Sequence, residues 1–275
     1  MISIMVEPGV EPQHPSMSSS AASSTVAPLA PREHGAYGQL GFPLLSALIA
    51  GRPTLASSCL VAATVAAFLG HEPLLVLLGQ RGARAQREGA TLARRRLVAC
   101  GSLATVFGVL AVGMAQPVAR VAMLVPLVAG LLLLPFVLAG REKTLLGELA
   151  AVVALTSPGL PTALCSGVAL EPALTQSAAW VLGFGAATLG VRAALAERRG
   201  TRLDVTLGLV VPPALVALAL VASPDPLVGA AVAVMALPAA FVASIRPHPR
   251  YLKRVGWTLV AASTLACTLL VVAVR

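Results

Sequence analysis

The 275-residue sequence is 57% apolar and only 11% charged, with a mean hydropathy of +0.87, a balance that excludes a water-soluble globule. Its net charge of +9 does not mark a nucleic-acid binder, because the basic residues fall in short clusters between apolar runs rather than along one solvated face. A bilayer-crossing helix needs about 20 mostly apolar residues, so the composition describes a polytopic membrane protein.

Residues 1–31 are rich in Ser and Pro, include the run Ser18 to Ser20, and carry few large apolar side chains. They read as a disordered polar leader. No basic stretch followed by an apolar run precedes Arg32, so the leader does not read as a secretory signal. Residues 32–275 form the membrane domain. Apolar runs fall at about 35–51, 54–78, 97–115, 121–139, 145–168, 177–195, 204–222, 226–245 and 257–274. The expected fold is therefore an all-α bundle of nine transmembrane helices.

The charges test this count independently. Segments after the second, fourth, sixth and eighth runs hold sixteen of the twenty basic residues, and Arg32 precedes the first run on the same side. Only Arg52, Arg120 and Arg275 fall on the other side. A missed or invented span would break this alternation downstream of the error, and it does not break. By the positive-inside rule the basic side is cytoplasmic, which places the N-terminus inside a bacterial plasma membrane and the C-terminus outside.

Candidate site residues gather on the basic side. Pro31-Arg32-Glu33-His34-Gly35-Ala36-Tyr37 stacks Glu33 and His34 at the start of the first helix. Gly70-His71-Glu72-Pro73 lies about 7 residues, or roughly 10 Å of helix rise, inside the basic loop that opens at Gly79. An ionisable side chain at that depth costs a few kcal/mol unless it faces a bundle interior or finds a partner, so His71 and Glu72 are candidates for a site, with a structural His–Glu or Glu–Arg pair as the plain alternative. Arg81, Arg84 and Arg87 recur at i, i+3 and i+6, a stripe able to fork onto phosphate oxygens if helical. Arg94 to Arg96 read as orientation signals facing anionic headgroups. After the sixth run, Arg192, Glu197, Arg198, Arg199, Arg202 and Asp204 make a second dense segment, in which Asp204 reads as a helix cap and Arg192 and Arg199 as anion ligands. Glu148 reads as a partner for Arg141 or Lys143.

The two histidines with Glu33 and Glu72 show no metal-ligand spacing, so no metal site and no cofactor is assigned. Cys59, Cys100, Cys165 and Cys267 all lie within or at the ends of apolar runs and read as small core-like thiols. Ser157-Pro158-Gly159-Leu160-Pro161 is the one compact cluster resembling a discontinuous transporter helix. Gly183, Gly185, Ala187 and Gly190 read as a close helix contact, and Trp180, Tyr37, Tyr251 and Trp257 as interfacial anchors.

The Pro31–Leu40 motif, with its Pro-x-x-His-Gly-Ala-aromatic pattern, and the nine-run layout together resemble the YwiC-like family of bacterial membrane proteins over the whole hydrophobic region. Tyr37 stands where that pattern has Trp. The layout is also similar to the UbiA superfamily of intramembrane prenyltransferases, which implies active-site residues around the loops after helices two and six. That chemistry uses Asn-x-x-x-Asp-x-x-x-Asp and Asp-x-x-x-Asp motifs to hold magnesium against a diphosphate. Here Glu72 is followed at that spacing by Val76 and Gln80, and Glu197 and Asp204 are seven apart with arginines between.

The reading this supports is a YwiC-like, UbiA-like integral membrane protein with a cytoplasm-facing cavity that binds an isoprenoid or other anionic lipid through Glu33, His34, His71, Glu72, Arg81, Arg84, Arg192 and Arg199. Whether it also carries out prenyl transfer is left open. The alternatives are a small-solute or ion transporter and a non-catalytic membrane assembly partner. The bilayer itself is the expected partner.

Overall fold

The computed structural model describes residues 34–199, 202–223, 225–248 and 251–275; the leader read at 1–31 lies outside them. Among the described residues all regular structure is helical. The elements are α1 (His34–Ala50), α2 (Leu55–Leu77), α3 (Ala83–Met114), α4 (Pro117–Ala122), α5 (Leu124–Leu138), α6 (Leu145–Thr156), α7 (Gly159–Cys165), α8 (Leu170–Arg199), α9 (Arg202–Ala222), α10 (Pro226–Ile245) and α11 (Leu252–Val274).

Eight segments among the described residues are long and apolar enough to cross a membrane by length and composition: α2, α3, α4 with α5, α6 with α7, α8, α9, α10 and α11. With α1, a shorter apolar helix of 17 residues, they correspond one for one to the nine apolar runs. The bundle thus has a basic end, where α1, α3, α6, α9 and α11 begin, and an opposite end, where α2, α4, α8 and α10 begin. At the opposite end α2 opens with a reciprocal cap: Thr54 Oγ1 accepts from Ser57 N–H, and Ser57 Oγ accepts from Thr54 N–H. Asp225 caps α10 by accepting from Leu227 N–H, with Pro226 at the first helical position.

Three places bear on the sequence-based expectation, and the first and third depart from it. The stretch from Ala83 to Arg96, expected as loop, is the first half of α3, a continuous helix of 32 residues and about 48 Å. Its Ala, Arg, Gln and Glu residues favour a helix but are too polar to register as an apolar run. Second, the fifth run divides at Ser157-Pro158, in the cluster read as resembling a discontinuous helix. Pro158 cannot donate to the Ala154 carbonyl, and Ser157 Oγ donates to it instead. Third, Trp180 is not an interfacial anchor. It is 1% exposed, stacked between Phe42 and Phe184 at 6.0 and 5.4 Å, and its Nε1–H donates to Ser46 Oγ at 2.9 Å. An indole can be buried there because that one donor is satisfied. Trp257, by contrast, is 68% exposed.

Helix association between apolar surfaces in a bilayer depends on close packing and polar contacts, since lipid tails are as apolar as leucine. The core follows that rule. α8 packs against α9, α10, α6, α7 and α11. Gly183 leaves space filled by the Met235 side chain, and Gly190 lies against the Ala239 backbone. Gly208 of α9 lies equally close to Ala193 and to the Leu189 carbonyl. Gly185 faces open space and takes no part in the contact. The broken segment is the most enclosed stretch of chain, with every residue from Thr156 to Ser166 buried. α3, α5 and α9 turn most of their apolar side chains outward, including Val106, Val109, Leu131, Leu132 and Val210.

Candidate functional site

At the basic end the last turns of α2 carry His71 and Glu72, and the chain then reverses sharply. Gly79 and Gly82 adopt φ of +75° and +96°, which side-chain-bearing residues rarely take, and this reversal folds Arg81 back over the end of α2. Arg81 Nε donates to Glu72 Oε1 at 2.8 Å and Nη2 donates to Oε2 at 2.6 Å. Glu72 is 1% exposed, and this two-pronged bond gives its buried carboxylate the partner that burial demands. Gln86 Nε2 donates to Leu77 O and secures the start of α3 against the same end.

The α5–α6 connection then spans the middle of this end. Gly140 turns the chain at φ +63°, and Gly147 makes room for it, since a Cβ there would strike the Arg141 and Glu142 carbonyls. Gln80 Nε2 donates to Val137 O at 2.5 Å. Glu142 Oε1 lies 3.2 Å from His71 Nε2, so this connection meets α2 through an ionisable pair.

On the other flank Arg192 of α8 collects three partners. Its Nε and Nη2 donate to Asp204 Oδ1 and Oδ2, both at 3.0 Å, and Nη1 lies 2.9 Å from Glu148 Oε2. Nη1 also donates to Lys143 O at 3.2 Å. Asp204 is therefore more than a helix cap: it is 4% exposed and clamped to Arg192. Glu148 pairs with Arg192, where the sequence suggested Arg141 or Lys143.

Two arginine–carboxylate clamps, Arg81–Glu72 and Arg192–Asp204/Glu148, are thus joined through residues 141–144. Exposed cations surround them. Arg84 pairs with Glu88 at 2.8 Å one turn along α3, with both side chains largely exposed, so it contributes about 0–1 kcal/mol and remains open to other anions. Arg87, Arg94, Arg95, Arg96, Arg141 and Lys143 are exposed as well. Because Gly70 faces Leu97 and Cys100 across the antiparallel α2–α3 pair, Arg94 to Arg96 lie level with His71 and Glu72. The charged layer therefore reaches as far along the bundle as Glu72, which is not isolated 10 Å inside it as the loop reading implied.

Of the residues singled out in the sequence, the structure pairs Glu72 with Arg81, His71 with Glu142, and Arg192 with Asp204 and Glu148, and it turns Arg84 outward. Glu33 and the side chains of His34, Glu197 and Arg199 lie outside the described residues. Sequence reasoning missed Glu142 and the Lys143 carbonyl as partners, and no local spacing signals a pair 71 positions apart. Among the described residues no three or more His, Cys, Asp or Glu side chains are grouped as metal ligands. The four cysteines are free thiols, three of them buried. A cleft of about 750 Å³ is formed at the opposite end, around Thr54, Ser166 and Arg275.

The family model described as YwiC-like protein matches residues 30–163, from the Pro31–Leu40 motif to within α7. The match stops short of α8–α11, a narrower extent than the whole hydrophobic region. Neither the curated proteins nor the solved structures compared include one that matches the chain. The motif at the start of α1, the α2–α3 pair with its Glu72–Arg81 clamp and all but the last two residues of the broken α6–α7 segment fall within the matched residues, and over residues 30–163 the chain is similar to the YwiC-like family.

Proposed function

We propose that this multi-pass protein sits in a bacterial plasma membrane with its basic end toward the cytoplasm and binds an anionic lipid there, an isoprenoid phosphate being the candidate that a UbiA-like layout suggests. The supporting observation is the pair of linked arginine–carboxylate clamps beneath a rim of exposed arginines. The clamps hold the turn and the α5–α6 connection in place, the exposed rim guanidiniums of Arg84 and Arg87 can donate to a phosphate, and each exposed cation near an anionic surface adds about 1 kcal/mol of attraction. Glu33, His34 and Arg199 are further candidate contributors. Lipid binding is tested by native mass spectrometry of detergent-extracted protein. Selective retention of an anionic lipid is expected, falling about five- to tenfold in an Arg84→Gln/Arg87→Gln variant; equal retention of zwitterionic and anionic lipids would overturn the proposal. Prenyl transfer is the narrower version of this reading, and it requires product formation from a prenyl diphosphate that is lost in Glu72→Gln.

A second reading, transport of a small solute or ion, is favoured by the α6–α7 break. Its helix-breaking residues Ser157 to Pro161 are buried in protein rather than turned to lipid, where irregular backbone can line a substrate path. The ion-paired end would then be the closed gate and the cleft end the open one. Proteoliposomes are expected to show solute or proton flux that rises when His71 is replaced by Ala; their failure to conduct either would remove this reading.

A further inference from the structure

The end remote from the arginine clamps carries a second constellation with its own chemistry. There the α1–α2 turn is pressed onto the α7–α8 turn. Arg52 N–H donates to Ser166 O at 2.7 Å, and Thr54 Oγ1 donates to Cys165 O at 2.8 Å. Gly51 lies so close to Ser166 that any Cβ would strike its backbone and side chain. This rigid joint forms the floor of the cleft of about 750 Å³, whose walls include Arg52, Gln116, Pro172 and Arg275.

Two buried polar groups at this end lack a hydrogen-bond partner. Ser166 is 2% exposed and its Oγ has no hydrogen-bond partner, although it lines the cleft. Gln176 is also 2% exposed with an unpartnered Nε2, and lies one helical turn beyond Pro172 on the same face of α8. These two are the buried side-chain polar atoms left unsatisfied among the described residues, and both belong to this end. A buried polar group without a partner is costly, so such positions mark where a ligand or water completes the structure. The cations reinforce this. Arg275 is held in place by Nε and Nη2 donating to Ile49 O, at 3.2 and 2.6 Å. The Arg52 guanidinium makes no hydrogen bond or ion pair among the described residues. The acidic side chains at this end, among the described residues, are Glu171, which is exposed and does not line the cleft, and Asp225, whose carboxylate caps α10.

We propose that this cleft binds an oxyanion, a phosphate group carried either by a lipid headgroup or by a small soluble solute, between Arg52, Arg275 and the Ser166 hydroxyl. The apolar walls from Val168, Pro172 and Val274 suit the non-ionic part of either source. This site is separate from the clamps at the basic end and stands whether or not a lipid binds there.

The test uses the full chain purified in detergent and titrated with inorganic phosphate, read by its thermal unfolding midpoint. Arg52→Gln removes a side-chain group that holds nothing in the unliganded fold and is expected to keep the midpoint of the parent without phosphate, whereas Ser166→Ala removes an unpartnered buried hydroxyl and is expected to match or raise it. Phosphate is expected to raise the midpoint saturably, with half-saturation shifted at least fivefold upward in each variant and unchanged in Arg96→Gln at the basic end. A second arm uses nanodiscs of phosphatidylcholine with and without phosphatidylglycerol. Retention of phosphatidylglycerol that needs Arg52 and is displaced by phosphate identifies a lipid source; a phosphate response indifferent to phosphatidylglycerol identifies a soluble one. The proposal is overturned if neither arm depends on Arg52 and Ser166, including the case where phosphate acts but only Arg96→Gln weakens it.

Discussion

Arg81→Ala is expected to destabilise the protein by about 3–5 kcal/mol, more than loss of an ordinary surface arginine, because it strands the Glu72 carboxylate in protein without its two-pronged partner. Arg84→Ala, three positions along, removes an exposed pair and is expected to cost no more than about 1 kcal/mol. The diagnostic variant is the double replacement Glu72→Leu/Arg81→Met. Removing both charges relieves the desolvation that each imposes, so most of the lost stability should return if the pair serves only to hold α2 and its turn together. Equilibrium unfolding of the four proteins in mixed detergent reads this directly. Should Arg81→Ala unfold no more easily than Arg84→Ala, the clamp is not a structural element. If the double variant is stable yet has lost lipid retention, the same residues serve the ligand rather than the fold.

The second large effect concerns the α8–α10 contact. Gly190→Val is expected to cost about 1–3 kcal/mol or more, because its first side-chain carbon would land against the Ala239 carbonyl, and backbone cannot move aside as a side-chain end can. Gly185→Ala provides the control. It lies on the same helix and faces open space, so a methyl group there meets nothing and should be neutral or stabilise by about 0.5–1 kcal/mol through helix propensity. Opposite signs at two glycines five positions apart separate packing from propensity, which a uniform loss at both sites would contradict. Gly183 is intermediate in kind, since its neighbour there is the flexible end of Met235.

Both effects turn on features of different visibility in the sequence. Hydropathy is a local property, and a run of apolar residues long enough for the bilayer has little choice but to form a helix, since no other single segment satisfies its backbone polar groups. The nine runs and the charge alternation between them were therefore legible. The extent of α3 was not, because a helix continuing past the apolar region into Arg, Gln and Glu leaves no hydropathy signal. The glycines of α8 were visible as a group, but Gly183 and Gly190 face α10 while Gly185 does not, a distinction set by where α10 lies. Trp180 illustrates the same limit. Ten positions into α8 it resembles an anchor by type, and only the arrival of Ser46 from α1 supplies the acceptor that lets it be buried.

What the residues determined alone is the class of fold, the number of apolar runs, the separation of charge between the two ends and the short list of ionisable groups near the apolar boundary. The tertiary arrangement decided which of those groups meet: Arg81 with Glu72, Arg192 with Asp204 and Glu148, His71 with Glu142, and Ser166 left without a partner beside Arg52. Transfer free energy is assigned residue by residue and can be summed along a chain, whereas a hydrogen bond or ion pair depends on two positions brought within about 3 Å from separate helices, a condition that only the packed bundle sets.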